Sequence, residues 1–111
     1  MKKVIVRQGD CGFVKITREK YRELSKNLCK REVKSMVLAH GEATGHKHVL
    51  MASQQESFPI FFINKSIALF EVAKELELRH ETHGTLNFLR GYYLFALQRE
   101  YNEYKELPVR D

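Results

Sequence analysis

The sequence predicts a mainly β protein, a small β-barrel or sandwich with one α-helix in its N-terminal half. Two observations support this fold class. Apolar and polar residues alternate along several short stretches, which is the pattern of half-buried strands, and turn-forming residues separate those stretches. A single stretch near the N-terminus instead repeats its apolar residues at helical spacing. With 111 residues, the chain is expected to form one domain over residues 1–111.

The N-terminal part is predicted to form two strands and the helix. Strands are expected at residues 3–8 and 12–16, with Gln8-Gly9-Asp10 as the turn between them. Thr17 is a suitable N-cap for a helix that extends to about Leu28. The apolar stripe of this helix, which should pack on the sheet, consists of Tyr21, Leu24 and Leu28.

The rest of the chain is predicted to be strands joined by turns. The expected strands cover residues 33–40, 46–52, 58–63, 66–72, 75–80 and 91–101. Asn64-Lys65 is the predicted hairpin turn between two of them. Residues 58–63 are apolar on both faces, and the core of a small barrel covers one face only. A symmetric homodimer is therefore predicted, in which a second copy covers the other face.

All five histidines of the chain lie between residues 40 and 83. His46 and His48 are two apart and would share one face of a strand, whereas His80 continues the apolar side of Leu76 and Leu78. Four imidazoles that converge on the core side can bind a metal ion. A divalent transition metal is therefore expected, with zinc first and iron, manganese or nickel as alternatives, at a site formed by His46, His48, His80 and His83.

Other interpretations of these residues stay open. The histidines can instead be partly buried side chains that hydrogen-bond to the backbone, and His40 is expected to support the site or the fold without binding the ion. Glu42 and Glu81 are candidate catalytic residues, because each could be a general base, a fourth ligand or an orienting partner of a histidine. Each could also be a solvated turn residue. Whether the protein is an enzyme, and which small molecule it would take, stays open at this point.

The charge distribution suggests a further possible partner. Residues 1–50 contain twelve Lys and Arg against five Asp and Glu, whereas residues 51–111 contain seven against nine. Most of the positive excess lies in residues 18–34, so a non-metal structural or interaction module that binds nucleic acid weakly through this basic helix is the alternative function. Glu19 and Glu23 interrupt the basic face, and no aromatic residues alternate with its charges.

No stretch of the sequence is long and apolar enough to cross a membrane, and no signal peptide is expected at its start. The two cysteines, Cys11 and Cys29, are too few for a disulfide framework. These features predict a cytoplasmic protein.

Several short motifs resemble those of a group of small uncharacterised bacterial and phage proteins. In chain order they are Arg7-Gln8-Gly9-Asp10, the GEATGHKH of residues 41–48, His80-Glu81-Thr82-His83, Gln98-Arg99-Glu100-Tyr101 and Val109-Arg110-Asp111. The chain departs from this group at Phe88-Leu89-Arg90-Gly91, where such proteins have a Pro-Pro-Gly turn. The resemblance implies no established activity, although it suggests a phage-related protein.

A broader resemblance is to the cupins, which are small β-barrels that hold a metal with an HxH pair, a carboxylate and a later histidine. Gly41 ahead of His46 and His48 is similar to the first cupin motif. The glutamate of that motif is missing, since Ala52 and Ser53 stand in its place. The resemblance implies a cupin-like barrel without the standard cupin active site.

Overall fold

The computed structural model of the chain describes residues 5–40 and 46–98. In these ranges the chain forms one helix and eight strands, which confirms the prediction of a mainly β protein with one helix near the N-terminus. The elements are β1 (Ile5–Gln8), β2 (Cys11–Ile16), α1 (Arg18–Ser25), β3 (Arg31–Val33), β4 (Ser35–His40), β5 (Lys47–Ala52), β6 (Phe58–Asn64), β7 (Ile67–Arg79) and β8 (Leu86–Leu97). α1, the helix of these described ranges, is too short and too polar to cross a membrane.

The strands form one antiparallel sheet with the order β1-β2-β8-β7-β5-β4. One edge of β7 carries two partners, because β6 pairs near Phe70 and β5 pairs near Leu78. β3 extends the sheet from β6. Within the described residues the path ends at β1 and β4, which do not pair with each other, so the sheet is not closed into a barrel, which was one of the two predicted arrangements. The sheet branches instead, since the long strand β7 is shared between two shorter neighbours.

β7 replaces the two strands predicted at residues 66–72 and 75–80. The pairing of β7 with β8 shifts register between Val72 and Glu75, which marks a bulge and not a chain break. Gln55 Oε1 accepts the backbone N–H groups of Lys74 at 2.8 Å and Glu75 at 3.2 Å. This side chain therefore satisfies donors at the bulge, and the strand continues through it.

Two further boundaries differ from the prediction. The hairpin turn before β7 is Lys65-Ser66, one residue later than expected, because Asn64 Oδ1 accepts the Ser66 N–H at 2.7 Å and holds the turn there. β8 begins at Leu86 and passes through Gly91, where the strand was predicted to start. The stretch predicted as one strand over residues 33–40 is divided between β3 and β4. The predicted continuation of β8 beyond Gln98 lies outside the described residues.

The larger of two buried clusters lies on one face of the sheet and is rich in phenylalanine, and the smaller one lies on the other face around Tyr21. The Phe13 ring lies 4.8 Å from that of Phe88 and 5.5 Å from that of Phe95, and Phe70 packs edge-on to Phe13 at 6.1 Å. Such tilted and edge-on pairs add to the free energy gained from burying apolar area. The same buried cluster extends to Leu50 and Leu78, which brings it to the strand ends that carry the histidines.

Helix α1 covers part of the opposite face. Thr17 is its N-cap, as predicted, and accepts the Lys20 N–H at 3.0 Å, but the helix ends at Ser25 and not near Leu28. The Tyr21 ring packs 5.8 Å from that of Phe61 and 4.7 Å from that of Tyr92. Phe61, on the second face of β6, is thus covered within the chain. The apolar residues on the second face of β6 are thus largely covered without a second copy of the chain, although Ile63 is 36% exposed.

The hydroxyl of Tyr21 is buried with no hydrogen-bond partner among the described residues. Burial, reinforced by the charge of Glu71, raises the pKa of Tyr21. We expect Tyr21→Phe to increase the free energy of unfolding by about 1 kcal/mol, because the substitution removes an unsatisfied polar group. In the unchanged protein the Tyr21 hydroxyl therefore loses its proton at a higher pH in the folded state than in the unfolded state. Stability should therefore fall above about pH 10, where an unfolded tyrosine ionises, and the variant should lose this part of the decline.

Tyr93→Phe is the matched control for this prediction. The pKa of Tyr93 is also raised by burial, but its hydroxyl donates to the Leu89 carbonyl at 2.8 Å. We expect Tyr93→Phe, which removes this hydrogen bond, to lower the free energy of unfolding by about 1 kcal/mol, whereas Tyr21→Phe should raise it. Urea unfolding at neutral and alkaline pH measures both variants. Destabilisation of similar size in both would contradict the unsatisfied state of the Tyr21 hydroxyl.

Candidate metal centre

The structure brings four histidines together where three segments meet at one end of the sheet. His46 and His48 lie at the start of β5, and His80 and His83 lie in the loop between β7 and β8. The third segment is the turn between β1 and β2, which contains Gly9. These segments meet because β5 and β8 both pair with the last part of β7, through Leu50 and Leu86 opposite Leu78.

His80 is the central ring of this group. Its centroid lies 4.2 Å from that of His48, 4.6 Å from that of His83 and 5.5 Å from that of His46. The rings of His48 and His83 are 5.8 Å apart. His48 is buried, His46 and His80 are half-buried, and His83 is exposed, so the group runs from the core to the surface. We call His46, His48, His80 and His83 the histidine cluster.

The remaining site predictions have different outcomes. His40 pairs with Lys47 in the β4–β5 ladder, so it lies on the face of the sheet opposite to that of the neighbouring His48. Glu42 lies outside the described residues. Glu81 lies beside the histidine cluster, and one ligand atom from each of His46, His80 and Glu81 falls within 4.8 Å of the others.

Gln8 determines the protonation pattern of His48. The Gln8 amide nitrogen donates to the Leu78 carbonyl at 2.9 Å and to the Gly84 carbonyl at 2.6 Å. Because carbonyl oxygens only accept, these bonds orient the amide and aim its oxygen at His48 Nδ1, 2.8 Å away. His48 Nδ1 is therefore the donor, and the lone pair of the neutral ring is on Nε2. A metal-binding histidine has this same arrangement, in which the second ring nitrogen donates to an oxygen.

Gly9 gives the histidines their space. Its φ of +58° is left-handed, a conformation that glycine adopts without steric cost. A Cβ at this position would lie 2.9 Å from His48 Cε1, 3.2 Å from His48 Nε2 and 3.0 Å from His83 Nε2. The Nε2 atoms of these two histidines therefore approach the same point on the backbone. A side chain at position 9 would occupy space at the Nε2 edge of both rings.

His80 has the opposite proton arrangement to His48. Its Nδ1 accepts the backbone N–H groups of Thr82 at 3.1 Å and His83 at 3.2 Å, so the proton of the neutral ring is on Nε2. Partial burial is the largest cause that lowers the pKa of His80, and the neighbouring His83 acts in the same direction while Glu81 opposes it. A lowered pKa favours the neutral ring, which is the form that coordinates metals.

Glu81 connects the β7–β8 loop to the start of β5. Its Oε1 accepts the backbone N–H of Lys47 at 3.1 Å. Bonds from its own backbone N–H and from that of Lys47 are the largest causes that lower the pKa of Glu81, and His46 and His80 contribute in the same direction. The carboxylate is thus ionised at neutral pH, beside two of the histidines.

The roles of Gln8 and Gly9 do not follow from the local sequence, which predicts a turn at both residues. Gln8 lies 40 residues before His48, and Gly9 lies far along the chain from both His48 and His83. The signal in the sequence was the Arg7-Gln8-Gly9-Asp10 motif itself. Nothing local indicates which imidazole Gln8 would meet, because that depends on the pairing of β1, β7 and β8.

The fold and the site define a class of protein, a small open antiparallel sheet with a histidine cluster at one end of its strands. The chain belongs to the family described as Domain of unknown function (DUF8820), which matches residues 7–98. This match spans Gln8, Gly9, Glu81 and the four clustered histidines. No curated protein and no solved structure matches the chain. Membership in an uncharacterised family is as expected, whereas the resemblance to cupins and the phage relationship stay predictions.

Proposed function

We propose that the chain binds one divalent transition metal ion at the histidine cluster, with Glu81 as an additional carboxylate ligand or base. The observation that carries the proposal is the convergence of four imidazoles from two distant segments at contact distances of 4.2–5.8 Å between ring centroids. Histidines scattered along a chain have no reason to gather in this way unless they share a partner or pack for stability.

The ring spacing supports the proposal, and one ligand atom from each of His46, His80 and Glu81 lies within 4.8 Å of the other two. With metal–nitrogen bonds of about 2.0–2.1 Å in tetrahedral geometry, imidazole centroids would lie roughly 5 Å apart. The observed centroid distances lie on both sides of this value. The proton that His48 donates to Gln8 supports the same conclusion, since coordination through Nε2 requires this tautomer.

His80 is the ligand that must change most on binding. Coordination through Nε2 requires its proton to move to Nδ1, which now accepts the N–H groups of Thr82 and His83. Those two donors would then need other acceptors, so metal binding should change the conformation of residues 80–83. His80 is needed in the site, because the described residues whose ligand atoms lie within 4.8 Å of one another are His46, His80 and Glu81.

The donor set leaves more than one metal identity open. Four imidazoles suit zinc, which is our first expectation, whereas two histidines with a carboxylate and open positions suit iron or manganese, and nickel also binds imidazole. An enzymatic role would require an open coordination position beside a base, for which Glu81 is a candidate among the described residues. A closed set of four histidines would instead give a structural site.

We expect untagged protein to contain about one metal ion per chain, measured by elemental analysis. The double variant His46→Ala/His83→Ala should lose this metal while keeping its fold, because both side chains are at least partly exposed. His40→Ala is the matched control and should keep the metal, because this exposed histidine lies on the other face of the sheet.

A second readout follows the backbone. On adding metal to the metal-free protein, the amide resonances of Thr82 and His83 should shift more than those of residues in β6, which lies away from the site. No stoichiometric metal in the purified protein, and no thermal or spectral shift with any of the four metals, would overturn the proposal. Equal loss of metal in His40→Ala would overturn the assigned ligands.

The alternative function is a structural or interaction module that binds nucleic acid weakly through the basic segment. Its exposed charges are mixed in sign, and Lys20 lies 3.8 Å from Glu23. No contact among the described residues favours it beyond net charge. The homodimer, the phage relationship, the cupin resemblance and the cytoplasmic location likewise stay predictions.

A further inference from the structure

A pocket of about 250 Å³ opens on the core face beside the first part of β8, which extends beyond the end of β2. β2 pairs with β8 over its whole length and ends at Ile16, opposite Tyr92, next to Gly91 with its φ of +153°. The part of β8 before Gly91 pairs with β7 and has no partner strand on its other edge among the described residues. The pocket is lined by Val6, Phe13, Lys15, Leu86, Asn87, Phe88 and Tyr93.

The walls of the pocket are apolar and largely aromatic. Phe13 and Phe88 lie 4.8 Å apart between ring centroids, and Tyr93 lies 5.1 Å from Phe88. The Tyr93 hydroxyl is already bonded to Leu89, so the ring presents its apolar surface. Val6, at the entrance, is 42% exposed. A dry apolar cavity of about 150 Å³ is enough to hold benzene, so this pocket can hold one aromatic ring with a short substituent.

Lys15 is the cationic side chain at the pocket, and it shares a strand face with Phe13. Asn87 also lines the pocket, but it alternates with Leu86 and Phe88, so its side chain lies on the other face of β8. No hydrogen bond or ion pair of the Lys15 side chain is present among the described residues. The end of the Lys15 side chain rests on Gly91, where a Cβ would lie 2.6 Å from its Cε and 3.2 Å from its Nζ. The missing side chain at Gly91 therefore makes room for the end of the Lys15 side chain. An ammonium group beside an aromatic floor complements a ligand that has a ring and an anionic end.

We propose that this pocket binds a small aromatic carboxylate, with its ring between Phe13, Phe88 and Tyr93 and its carboxylate on the Lys15 ammonium group. A neutral aromatic ligand would form no ion pair with the Lys15 ammonium group, and an aromatic amine would be repelled by its positive charge. No histidine lines the pocket. Gln8, two residues beyond Val6, is bonded to Leu78, Gly84 and His48, so this ligand site is separate from the histidine cluster and does not depend on it.

The experiment is a titration of isotopically labelled protein with three probes of one shape: phenylacetate, benzyl alcohol and phenethylammonium. We expect phenylacetate to give saturable shifts confined to residues 6, 13, 15, 86–88 and 93, with the tightest binding of the three. Lys15→Met keeps the aliphatic stem and removes the charge. It should weaken the binding of phenylacetate about fivefold, as for an exposed ion pair, and leave the binding of benzyl alcohol unchanged.

Lys65→Met is the matched control, because Lys65 is an exposed lysine in the β6–β7 turn and does not line the pocket. It should leave all three titrations unchanged. Val6→Phe should fill the entrance and abolish binding of every probe. Absence of saturable shifts at millimolar phenylacetate would overturn the proposal. So would equal affinity for benzyl alcohol, or an affinity for phenylacetate that Lys15→Met leaves unchanged.

Discussion

Replacing Gln8 with leucine is expected to reduce metal affinity by about 10- to 100-fold, the usual effect of removing a hydrogen-bond partner of a metal-binding histidine. The free energy of unfolding of the metal-free protein should also fall by about 2–4 kcal/mol. Gln8 is only 3% exposed, and its amide is bonded to His48, Leu78 and Gly84. Leucine removes all three bonds and leaves the His48 Nδ1–H with no acceptor, so the ring can rotate or change tautomer.

Gln55→Leu is the control that separates stability from metal binding. Gln55 is a half-buried glutamine that also makes several hydrogen bonds, donating to the Ser57 carbonyl at 2.7 Å and accepting from the N–H groups of Lys74 and Glu75. Its loss should destabilise the protein through the bulge in β7 while metal affinity stays unchanged. Urea unfolding and metal titration of both variants make the comparison.

Gln8→Glu refines the same test. Glutamate keeps an acceptor for His48 Nδ1 but loses the donor to the Leu78 and Gly84 carbonyls. We expect it to be destabilised like the leucine variant while retaining much more of the metal affinity. If Gln8→Leu bound metal as tightly as the unchanged protein does, the orientation of His48 by Gln8 would have no part in the site.

Local sequence patterns predicted the elements of this fold better than their assembly. The N-cap at Thr17 and the alternation that buries His48 with Leu50 are local properties, and both are confirmed. The junction of residues 66–72 and 75–80 was not predictable from local pattern, because a glutamine about 20 residues away bonds the bulge between them. The open sheet follows from the resulting length of β7.

The candidate site could likewise be predicted from the sequence only in part. The alternation of His46, His48 and His80 with leucines predicts that these side chains lie on the core side of their strands. In the structure they come together with His83. The tautomers could not be derived, since they depend on Gln8 for His48 and on a turn of the backbone for His80. The pocket beside Lys15 could not be derived either, because it arises where β8 continues past the end of β2.

Replacing Gly9 with alanine is the second prediction of large effect. We expect the free energy of unfolding to fall by about 2–3 kcal/mol, of which the left-handed φ of +58° accounts for about 1–2 kcal/mol. The new Cβ would also lie 2.9 Å from His48 Cε1 and 3.0 Å from His83 Nε2. The exposed His83 can move aside, but the buried His48 is held by Gln8. Metal affinity should therefore fall with stability.

Two further variants separate the causes of this effect. Gly84→Ala is the control, because a Cβ on Gly84 would meet nothing within 4 Å and Gly84 has no positive φ, so stability and metal affinity should hardly change. Gly9→Asn keeps the Cβ but tolerates the left-handed backbone better than alanine. We expect asparagine to recover part of the stability and none of the metal affinity, since the contact with His48 remains. Full recovery of metal binding in Gly9→Asn would show that backbone strain alone, and not the space at the Nε2 edge of His48, makes glycine necessary here.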